Sequence, residues 1–398
     1  MIFVGFAVAL TTTSLILFGT MMVLFVGAIV RRARLDTETE PKVGPRVSIL
    51  KPLAGQDDDL DDNLESFARL VYPDFEILFG VASASDPAWS VASSFVARHP
   101  EITARVVLTV PDAAINPKVA QLVGLESVAT GDVCVISDSN VRVSPAYLWS
   151  LVHGLDDPTV GMVTSLFVGS GERTLGAAIE NLQLCASSAP GLVAMNAVAA
   201  RPITVGKSMA MRHSDLARLG GFGKVGGVLA EDHALGRLVL DAGFSIKTSL
   251  EPIENRNVTG TLRRTVERHT RWSKTRRTIL PLGFFGEPLL MPAAISGLCF
   301  ALVPGLTMGI LFGVSCVVQV GGAVAAVYLL RGRALRWWHA PLELVRTLVM
   351  LCCWAGAFGG GRIEWRGHHF KVRRGSVIVP VAAPGIRTRA PARERLAA

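Results

Sequence analysis

Apolar and polar positions divide the chain into stretches of different texture. Residues 2–30 are apolar and carry no charge, which is long enough for a helix to cross a bilayer and too long for the core of a signal peptide. From about Pro45 the pattern changes to short β-branched runs that alternate with amphipathic segments, as in a βαβ array. Residues 289–330 are again apolar and uncharged. The pattern therefore predicts an α/β domain between membrane helices.

The alternation between residues 45 and 280 predicts individual elements. Runs rich in β-branched residues predict strands at 46–50, 76–81, 104–110, from 133 onward, at 160–166 and at 202–211. Apolar residues at helical spacing predict helices at 57–70, 90–97, 119–128, 174–200 and 232–240.

The C-terminal apolar stretch predicts more than one membrane helix. Residues 289–330 are long enough for two spans, with a break near Pro304. Residues 342–361 contain Glu343 and Arg346, so a re-entrant or interfacial segment fits them as well as a further span does. The predicted order is an N-terminal transmembrane anchor (1–31), a catalytic domain (45–280), two to three transmembrane or membrane-associated helices (286–361) and a basic tail (362–398) that is disordered from about residue 383.

Charge and cysteine usage bear on location and partners. The formal net charge is +8 and the mean hydropathy is +0.42. Arg31, Arg32 and Arg34 follow the first apolar run, which by the positive-inside rule places that end of the anchor in the cytoplasm. Basic clusters beside membrane segments indicate contacts with anionic lipid or phosphate, and no nucleic-acid partner is expected. The six cysteines form no CxxC pair, as in a reducing compartment. We expect an integral protein of a bacterial inner membrane with its catalytic domain facing the cytoplasm.

Acidic residues follow two of the predicted strands. The strand from 133 ends at Asp138-Ser139-Asn140, and Asp86 follows the strand at 76–81. Ligands of open α/β sheets bind beyond the carboxyl ends of the strands. Asp138 with Asn140 suits a divalent metal, Mg²⁺ or Mn²⁺, that bridges two phosphates, and Asp86 suits a base or ribose. Each acid taken alone is also consistent with an ordinary turn or cap.

Two further segments carry candidate chemistry. Asp232 follows a glycine-rich segment, 220–227, and suits a general base. The basic segment 261–278 contains Arg271-Trp272, which suits a phosphate clamp with an aromatic wall. A basic helix lying on anionic lipid would have a similar composition, and we expect both contacts.

Short motifs accompany these acids in order along the chain, and as an ordered set they resemble the ceramide glucosyltransferase family. That family comprises inverting membrane glycosyltransferases with a GT-A (Rossmann-like) fold, marked by three separated aspartates and a (Q/R)xxRW motif. Hopanoid-biosynthesis glycosyltransferases are similar. The matching residues cover nearly the whole chain and are Lys51-Pro52 with Gly55, Asn63-Leu64-Glu65, Asp86-Pro87-Ala88, Asn116-Pro117-Lys118, Asp138-Ser139, Glu231-Asp232, Arg268-His269-Thr270-Arg271-Trp272, Ile363-Glu364-Trp365-Arg366 and Phe370-Lys371-Val372-Arg373.

The resemblance implies a role for each matching position. Asp86 would contact the nucleotide, Asp138 the metal and diphosphate, and Asp232 would be the catalytic base. Arg271 and Trp272 would close over the diphosphate and the acceptor. The other implied substrate-binding positions are Lys51, Pro52, Lys118, Ser139, Glu231 and Arg268. One departure is Asn140, a neutral and weaker metal ligand where many GT-A enzymes have a second aspartate, which leaves the degree of metal dependence open.

The expected function is transfer of a hexose, with glucose favoured, from a UDP-sugar to the hydroxyl of a membrane lipid, with ceramide favoured, giving a β-glycolipid. The nearest alternative is a hopanoid N-acetylglucosaminyltransferase. A processive polysaccharide synthase would need more spans, and a scaffold or transporter fits poorly with apolar runs that hold almost no ionisable residue. A dinucleotide-binding enzyme fits poorly too, because the glycine cluster at 220–227 does not join a strand to a helix. The oligomeric state stays open.

Overall fold

The computed structural model describes residues 2–35, 43–199, 201–333, 339–365 and 367–381. Its helices are α1 (Ile2–Leu35), α2 (Leu60–Glu65), α3 (Pro87–Arg98), α4 (Pro117–Glu126), α5 (Tyr147–Val152), α6 (Leu175–Gln183), α7 (Ala189–Val198), α8 (His213–Arg218), α9 (Glu231–Asp241), α10 (Leu262–Ile279), α11 (Pro281–Gly286), α12 (Pro292–Leu302), α13 (Leu306–Arg331) and α14 (Leu342–Gly356). Its strands are β1 (Val47–Pro52), β2 (Phe75–Val81), β3 (Thr103–Leu108), β4 (Val133–Ser137), β5 (Val141–Arg142), β6 (Val160–Ser170), β7 (Ser208–Arg212), β8 (Ser245–Arg256), β9 (Arg362–Trp365), β10 (His368–Val372) and β11 (Ile378–Pro380).

The main sheet runs in the order β3–β2–β1–β4–β7–β6–β8–β5 within the described residues. β1 pairs in parallel with β2 and β4, with Ile49 opposite both Ile77 and Val135. The carboxyl ends of these strands therefore meet at one edge of the sheet. β7 pairs antiparallel with β4, with Ser208 opposite Ser137, so β7 begins at the edge where β4 ends.

Both faces of the sheet are covered by apolar clusters. Successive side chains of a strand point to opposite sides, so neighbouring residues of β1 belong to different clusters. Ile49 of β1 packs in one apolar cluster with Phe79 and Phe95, on the side of α3. The next residue, Leu50, packs with Leu122 of α4 in a second cluster. Each such buried side chain stabilises the fold by about 1.5–3 kcal/mol relative to an exposed one. These two layers hold the strand ends in place.

Some elements differ from the prediction. The helix expected at 57–70 is shorter, because α2 ends at Glu65 and a 3₁₀ turn follows. The strand expected at 202–211 begins only at Ser208, since Val205 and Gly206 lie in a loop that bonds to side chains of other elements. β8 was not predicted, because polar residues interrupt its apolar pattern.

Two helices of the described residues are long and apolar enough to cross a membrane, Ile2–Arg32 and Leu306–Arg331. A third candidate is the pair Pro281–Leu290 and Pro292–Leu302, which is bent by 74°. The apolar run at 289–330 thus contains one long helix, α13, and one short helix, α12. α12 has only 11 residues and is about 16 Å long.

The candidate membrane helices pack directly on the α/β domain. Phe25 of α1 and Ala326 of α13 share an apolar cluster with Leu166 of β6. At the end of α1, Arg32 donates to the carbonyl of Leu250 at 2.8 Å and pairs with Glu251, both in β8. The α/β domain is thus attached to the helices by apolar and ionic contacts.

The two charged residues that made 342–361 ambiguous are buried in α14. Glu343 and Arg346 form an ion pair and are 1% and 3% exposed. Gln319 of α13 donates to Glu343 at 2.8 Å, and Arg346 donates to Gln183 of α6. Both charges are therefore satisfied between helices, as buried ions in such a bundle need to be.

The described part of the tail forms a second, antiparallel sheet in the order β11–β10–β9, which we call the C-terminal sheet. Residues 383–398, for which disorder was predicted, lie outside the described residues.

Candidate active site

The end of β1 places a lysine beneath the site. The Nζ of Lys51 donates to the Oγ of Ser137 at 3.2 Å and to the carbonyl oxygen of Asp138 at 3.0 Å. The ammonium also lies 4.0 Å from the ring centroid of Phe67. Burial lowers the pKa of Lys51 to about 7, although Asp138 acts in the opposite direction. Lys51 is therefore able to gain a proton when an anion arrives. Pro52 follows it and closes the buried strand.

Asp138 follows β4 and meets two ammonium groups. Its Oδ1 lies 2.8 Å from the Nζ of Lys118, and its Oδ2 lies 3.3 Å from the Nζ of Lys207. Burial alone would raise the pKa of Asp138, but the two lysines lower it to about 2. The carboxylate is thus ionised at physiological pH. Ser139, next in the chain, donates its hydroxyl to Asp57.

Lys118 joins Asp138 to a second acid. Its Nζ lies 2.8 Å from the Oε1 of Glu231 and donates to the carbonyl of Gly206 at 3.2 Å. Burial would lower the pKa of Lys118, but the two carboxylates raise it above its ordinary value. Burial raises the pKa of Glu231, and the Lys118 ion pair only partly opposes that effect.

The start of α4 explains why Lys118 points to this place. The side chain of Asn116 caps the helix by accepting from the backbone N–H groups of Lys118 at 3.0 Å and Val119 at 3.3 Å. Pro117 occupies the first helical position, where its missing N–H costs nothing. The capping amide also donates to the carbonyl of Val228 at 2.8 Å. The Asn-Pro-Lys motif therefore ties the first turn of α4 to the segment that leads into α9.

Asp232 lies in the first turn of α9, where the helix dipole favours a carboxylate. Its Oδ2 accepts from the backbone N–H of Gly206 at 2.7 Å. A Cβ on Gly206 would lie 3.1 Å from this carboxylate, so the close approach favours glycine. Lys207, the next residue, contacts Asp138. The Gly206-Lys207 pair thus connects the candidate base with the candidate diphosphate site.

Asp86 lies at the same edge of the sheet but has a structural task in this structure. Its carboxylate caps α3 by accepting from Ala88 N at 2.8 Å. It also accepts from the backbone N–H of Gly55 at 2.8 Å, which fixes the loop after β1. The side chain is partly exposed, and its proposed contact with the nucleotide stays a prediction.

The basic aromatic motif lies on α10. Arg268 pairs with Glu180 and donates to the Oδ1 of Asn257 at 3.1 Å. The guanidinium of Arg271 lies 5.8 Å over the ring of Trp365 in the C-terminal sheet. Trp272 is half-buried against the apolar cluster of the main sheet. These residues lie on α10, a different element from those that carry Asp138 and Asp232.

One residue of the site was missed from the sequence. Lys207 contacts the Oδ2 of Asp138 and donates to the Oδ1 of Asn140 at 3.2 Å. Burial lowers the pKa of Lys207, and repulsion from Arg268 adds to that effect, while Asp138 opposes it. An isolated lysine inside the strand predicted at 202–211 carries no sequence motif. Only the antiparallel pairing of β7 with β4 brings it to the site.

The oxygens of Asp138 and Asn140 suit a hard cation. Both lie within 3.3 Å of the Nζ of Lys207, so they face a common point. Within the described ranges no group of three or more histidine, cysteine or acidic side chains is placed to hold a metal ion. Mg²⁺ commonly binds one or two protein oxygens and completes its shell with phosphate and water. The two oxygens fit that mode of binding.

A cavity of about 580 Å³ lies at the opposite edge of the sheet and holds none of these residues. It is lined in part by Asp132, Asp156, Arg212 and His213. The guanidinium of Arg212 is held by Asp215 and by backbone carbonyls. Lysine and carboxylate contacts, and not cavity size, therefore mark the candidate active site.

A family model covers most of the chain. Residues 11–378 match the model described as Glycosyl transferase family 21. The chain belongs to this family. The resemblance stated from the ordered motifs is thereby confirmed.

Curated relatives of known name are similar over part of their length. Ceramide glucosyltransferase 1 of Caenorhabditis elegans is 29% identical over 270 residues, which are 67% of this chain and 58% of that protein. Ceramide glucosyltransferase 3 of the same organism is 27% identical over 246 residues, which are 62% of this chain and 53% of that protein. The chain thus spans somewhat more than half the length of these relatives.

A solved structure shares the fold. Mannosyltransferase PcManGT from Pyrobaculum calidifontis, in complex with GDP-Man and Mn²⁺, superposes with a TM-score of 0.53 at 17% identity, covering 88% of this chain and 99% of that one. This likeness confirms the GT-A type of fold that the motif set implied.

Proposed function

We propose that the protein is a glycosyltransferase that moves a hexose from a UDP-sugar to the hydroxyl of a membrane lipid, with inversion to a β-glycolipid. Glucose is the favoured sugar and ceramide the favoured lipid. The observation that carries the proposal is the contact of Lys118 with both Asp138 and Glu231, one residue before Asp232. This contact places a positive charge that can bind a diphosphate next to the helix turn that carries Asp232, the acid proposed to accept the proton of the lipid hydroxyl. The names of the relatives support the choice of donor sugar and acceptor lipid.

The diphosphate of the donor would lie against Lys51, Lys118 and Lys207. Three lysine side chains that meet where β1 and β4 end can stabilise the charge that develops on the leaving UDP. Because Lys51 has a pKa of about 7, binding of the diphosphate would favour its charged form. Asp138 and Asn140 would hold Mg²⁺ or Mn²⁺, which would neutralise part of the same charge.

Asp232 would accept the proton of the lipid hydroxyl. The hydroxyl oxygen attacks the anomeric carbon opposite the bond to UDP, that bond breaks, and UDP leaves with the electron pair. A general base placed this way contributes about 10²–10⁴-fold to a rate. Arg271 and Trp272 would close the site over the diphosphate and acceptor from the side of α10.

The candidate membrane helices would hold the site at the bilayer. Arg32 binds the α/β domain to the end of α1, and the cluster around Phe25 and Ala326 joins the domain to both long apolar helices. A lipid acceptor could therefore reach the site without leaving the membrane. The membrane would be a bacterial inner membrane. By the positive-inside rule, the α/β domain would lie on its cytoplasmic side.

A transfer assay on membranes that contain the protein tests this function. UDP-glucose, UDP-galactose and UDP-N-acetylglucosamine are each offered with ceramide, diacylglycerol and a hopanoid. Glucosylceramide is the expected product, absent from membranes carrying Asp232→Asn. If the product is an N-acetylglucosaminyl hopanoid, the proposed reaction type is retained, but the proposed sugar and the proposed lipid are both wrong. No transfer to any lipid by folded protein would contradict the proposal.

A further inference from the structure

The C-terminal sheet pairs with the segment that leads into α9. The backbone N–H of Ile378 donates to the carbonyl of Gly227 at 3.0 Å, and that of Leu229 donates to the carbonyl of Ser376 at 2.9 Å. Between them, Val228 and Val377 form an antiparallel bridge. The chain beyond α14 therefore returns and pairs with the segment 226–230.

This segment needs an external support. It begins with Gly226 and Gly227, and glycine has more backbone freedom than any other residue. Ala230 is the N-cap residue of α9 and has no capping side chain. From α4, Asn116 also contacts the segment, because its side chain donates to the carbonyl of Val228 and its backbone N–H to that of Gly226. A change in the path of the segment would shift Asp232, two residues further on.

Ser376 supplies a capping contact from the tail. Its Oγ accepts from the backbone N–H of Ala230 at 3.3 Å, the contact that an acidic side chain in the first helical turn makes in a capping box. Ser376 is 1% exposed and has a φ of 57°, a left-handed conformation that is uncommon for residues other than glycine. The fold thus holds a buried serine in an unfavourable conformation at the point of contact.

The same sheet also contacts α10. Leu229 shares an apolar cluster with Phe370 and Ile378. On the other side, the Nζ of Lys274 donates to the carbonyl of Arg362 at 3.0 Å, and Arg271 lies over Trp365. The sheet therefore lies between the segment before Asp232 and the helix that carries Arg271.

We propose that the C-terminal sheet is a brace that sets the position of Asp232 relative to Arg271, and that Ser376 is its positioning residue on the side of Asp232. Ser376 acts through the backbone of Ala230 and touches no substrate. The inference rests on the proposed function, since it assigns Asp232 and Arg271 to one reaction.

The test compares three variants of the full chain in membranes. Ser376→Ala removes the acceptor and keeps the backbone pairing. Ser376→Asn is the conservative rescue, because asparagine tolerates the left-handed region and its side-chain oxygen can accept the same N–H. Val377→Thr is the matched control, because Val377 is 42% exposed and keeps its backbone bridge. Turnover, donor KM and hydrogen exchange of residues 226–230 are measured for each.

In Ser376→Ala we expect kcat to fall about tenfold, donor KM to stay unchanged and amide exchange to accelerate only in 226–230. Ser376→Asn should restore kcat, and Val377→Thr should match the parent. A normal kcat despite faster exchange, a change in KM alone, or failure of asparagine to restore kcat would overturn the brace. If Ser376→Ala does not fold, Ser376→Gly replaces it, since glycine suits the conformation.

The exchange measurement separates this proposal from the proposed function. No lipid transfer by the parent would contradict the function, while faster exchange at 226–230 in Ser376→Ala would still support the brace. Unchanged amide exchange of residues 226–230 in Ser376→Ala would overturn the brace even if the parent transfers sugar to lipid.

Discussion

Lys118→Met tests the electrostatic centre of the site. The substitution keeps the apolar stem and removes the charge that lies 2.8 Å from both Asp138 and Glu231. The side chains of the two acids are only 22% and 11% exposed. Removing one partner of a buried ion pair costs about 3–5 kcal/mol. Since Asp138 keeps its contact with Lys207, we expect a loss near the lower end, about 3 kcal/mol, at about pH 8.

The loss should depend on pH in a defined direction. Burial already raises the pKa of Glu231, and removal of Lys118 raises it further. An acid whose pKa is higher in the folded than in the unfolded state destabilises the fold increasingly as pH rises above the unfolded value. The variant should therefore be less destabilised at about pH 5 than at about pH 8, because the folded protein binds a proton at Glu231 more tightly than the unfolded chain does.

Thermal unfolding of the parent and Lys118→Met in detergent, at both pH values, measures this effect. Lys224→Met is the matched control, because Lys224 is exposed and its loss should cost under about 0.5 kcal/mol. A deficit below about 1 kcal/mol, as for a surface pair, or one of equal size at both pH values, would refute the electrostatic argument.

Two further substitutions test the walls of the site. In the absence of added metal, Lys207→Met should weaken UDP binding, measured by calorimetry, about tenfold, a loss of about 1.4 kcal/mol. The control is Lys247→Met, at an exposed lysine on β8, which should bind UDP like the parent. An unchanged Kd in Lys207→Met would exclude Lys207 from the diphosphate site. Arg271→Ala should abolish lipid glycosylation while the protein stays in the membrane fraction, whereas Arg277→Ala, on the same helix, should keep turnover and weaken association with anionic vesicles. Equal turnover in Arg271→Ala and the parent would rule out the clamp.

The strand-end acids show what the sequence alone could predict. A β-branched run followed by Asp138 is a local pattern, and parallel strands bring their carboxyl ends together whatever their exact order. The Asn116-Pro117-Lys118 motif is equally local, because the cap and the proline define the start of α4. Such features follow from neighbouring residues, so the α/β class could be predicted, as could the edge of the sheet at which these side chains meet.

Contacts between distant segments could not be predicted in the same way. Lys207 reaches Asp138 only because β7 runs antiparallel to β4. The tail motif near Trp365 was noted by resemblance, but nothing in it indicated that Ser376 would cap the segment before α9. β8 pairs with β6 over most of its length despite its interrupted apolar pattern, because tertiary pairing outweighs local propensity there.

The central claim is that Asp232 is the base of a sugar transfer to lipid. Its most direct test measures UDP binding and lipid glycosylation in the same preparations of the parent and Asp232→Asn. We expect equal UDP affinity and a turnover at least about a hundredfold lower in the variant. Glycosylation by Asp232→Asn at the rate of the parent would exclude Asp232 as the base.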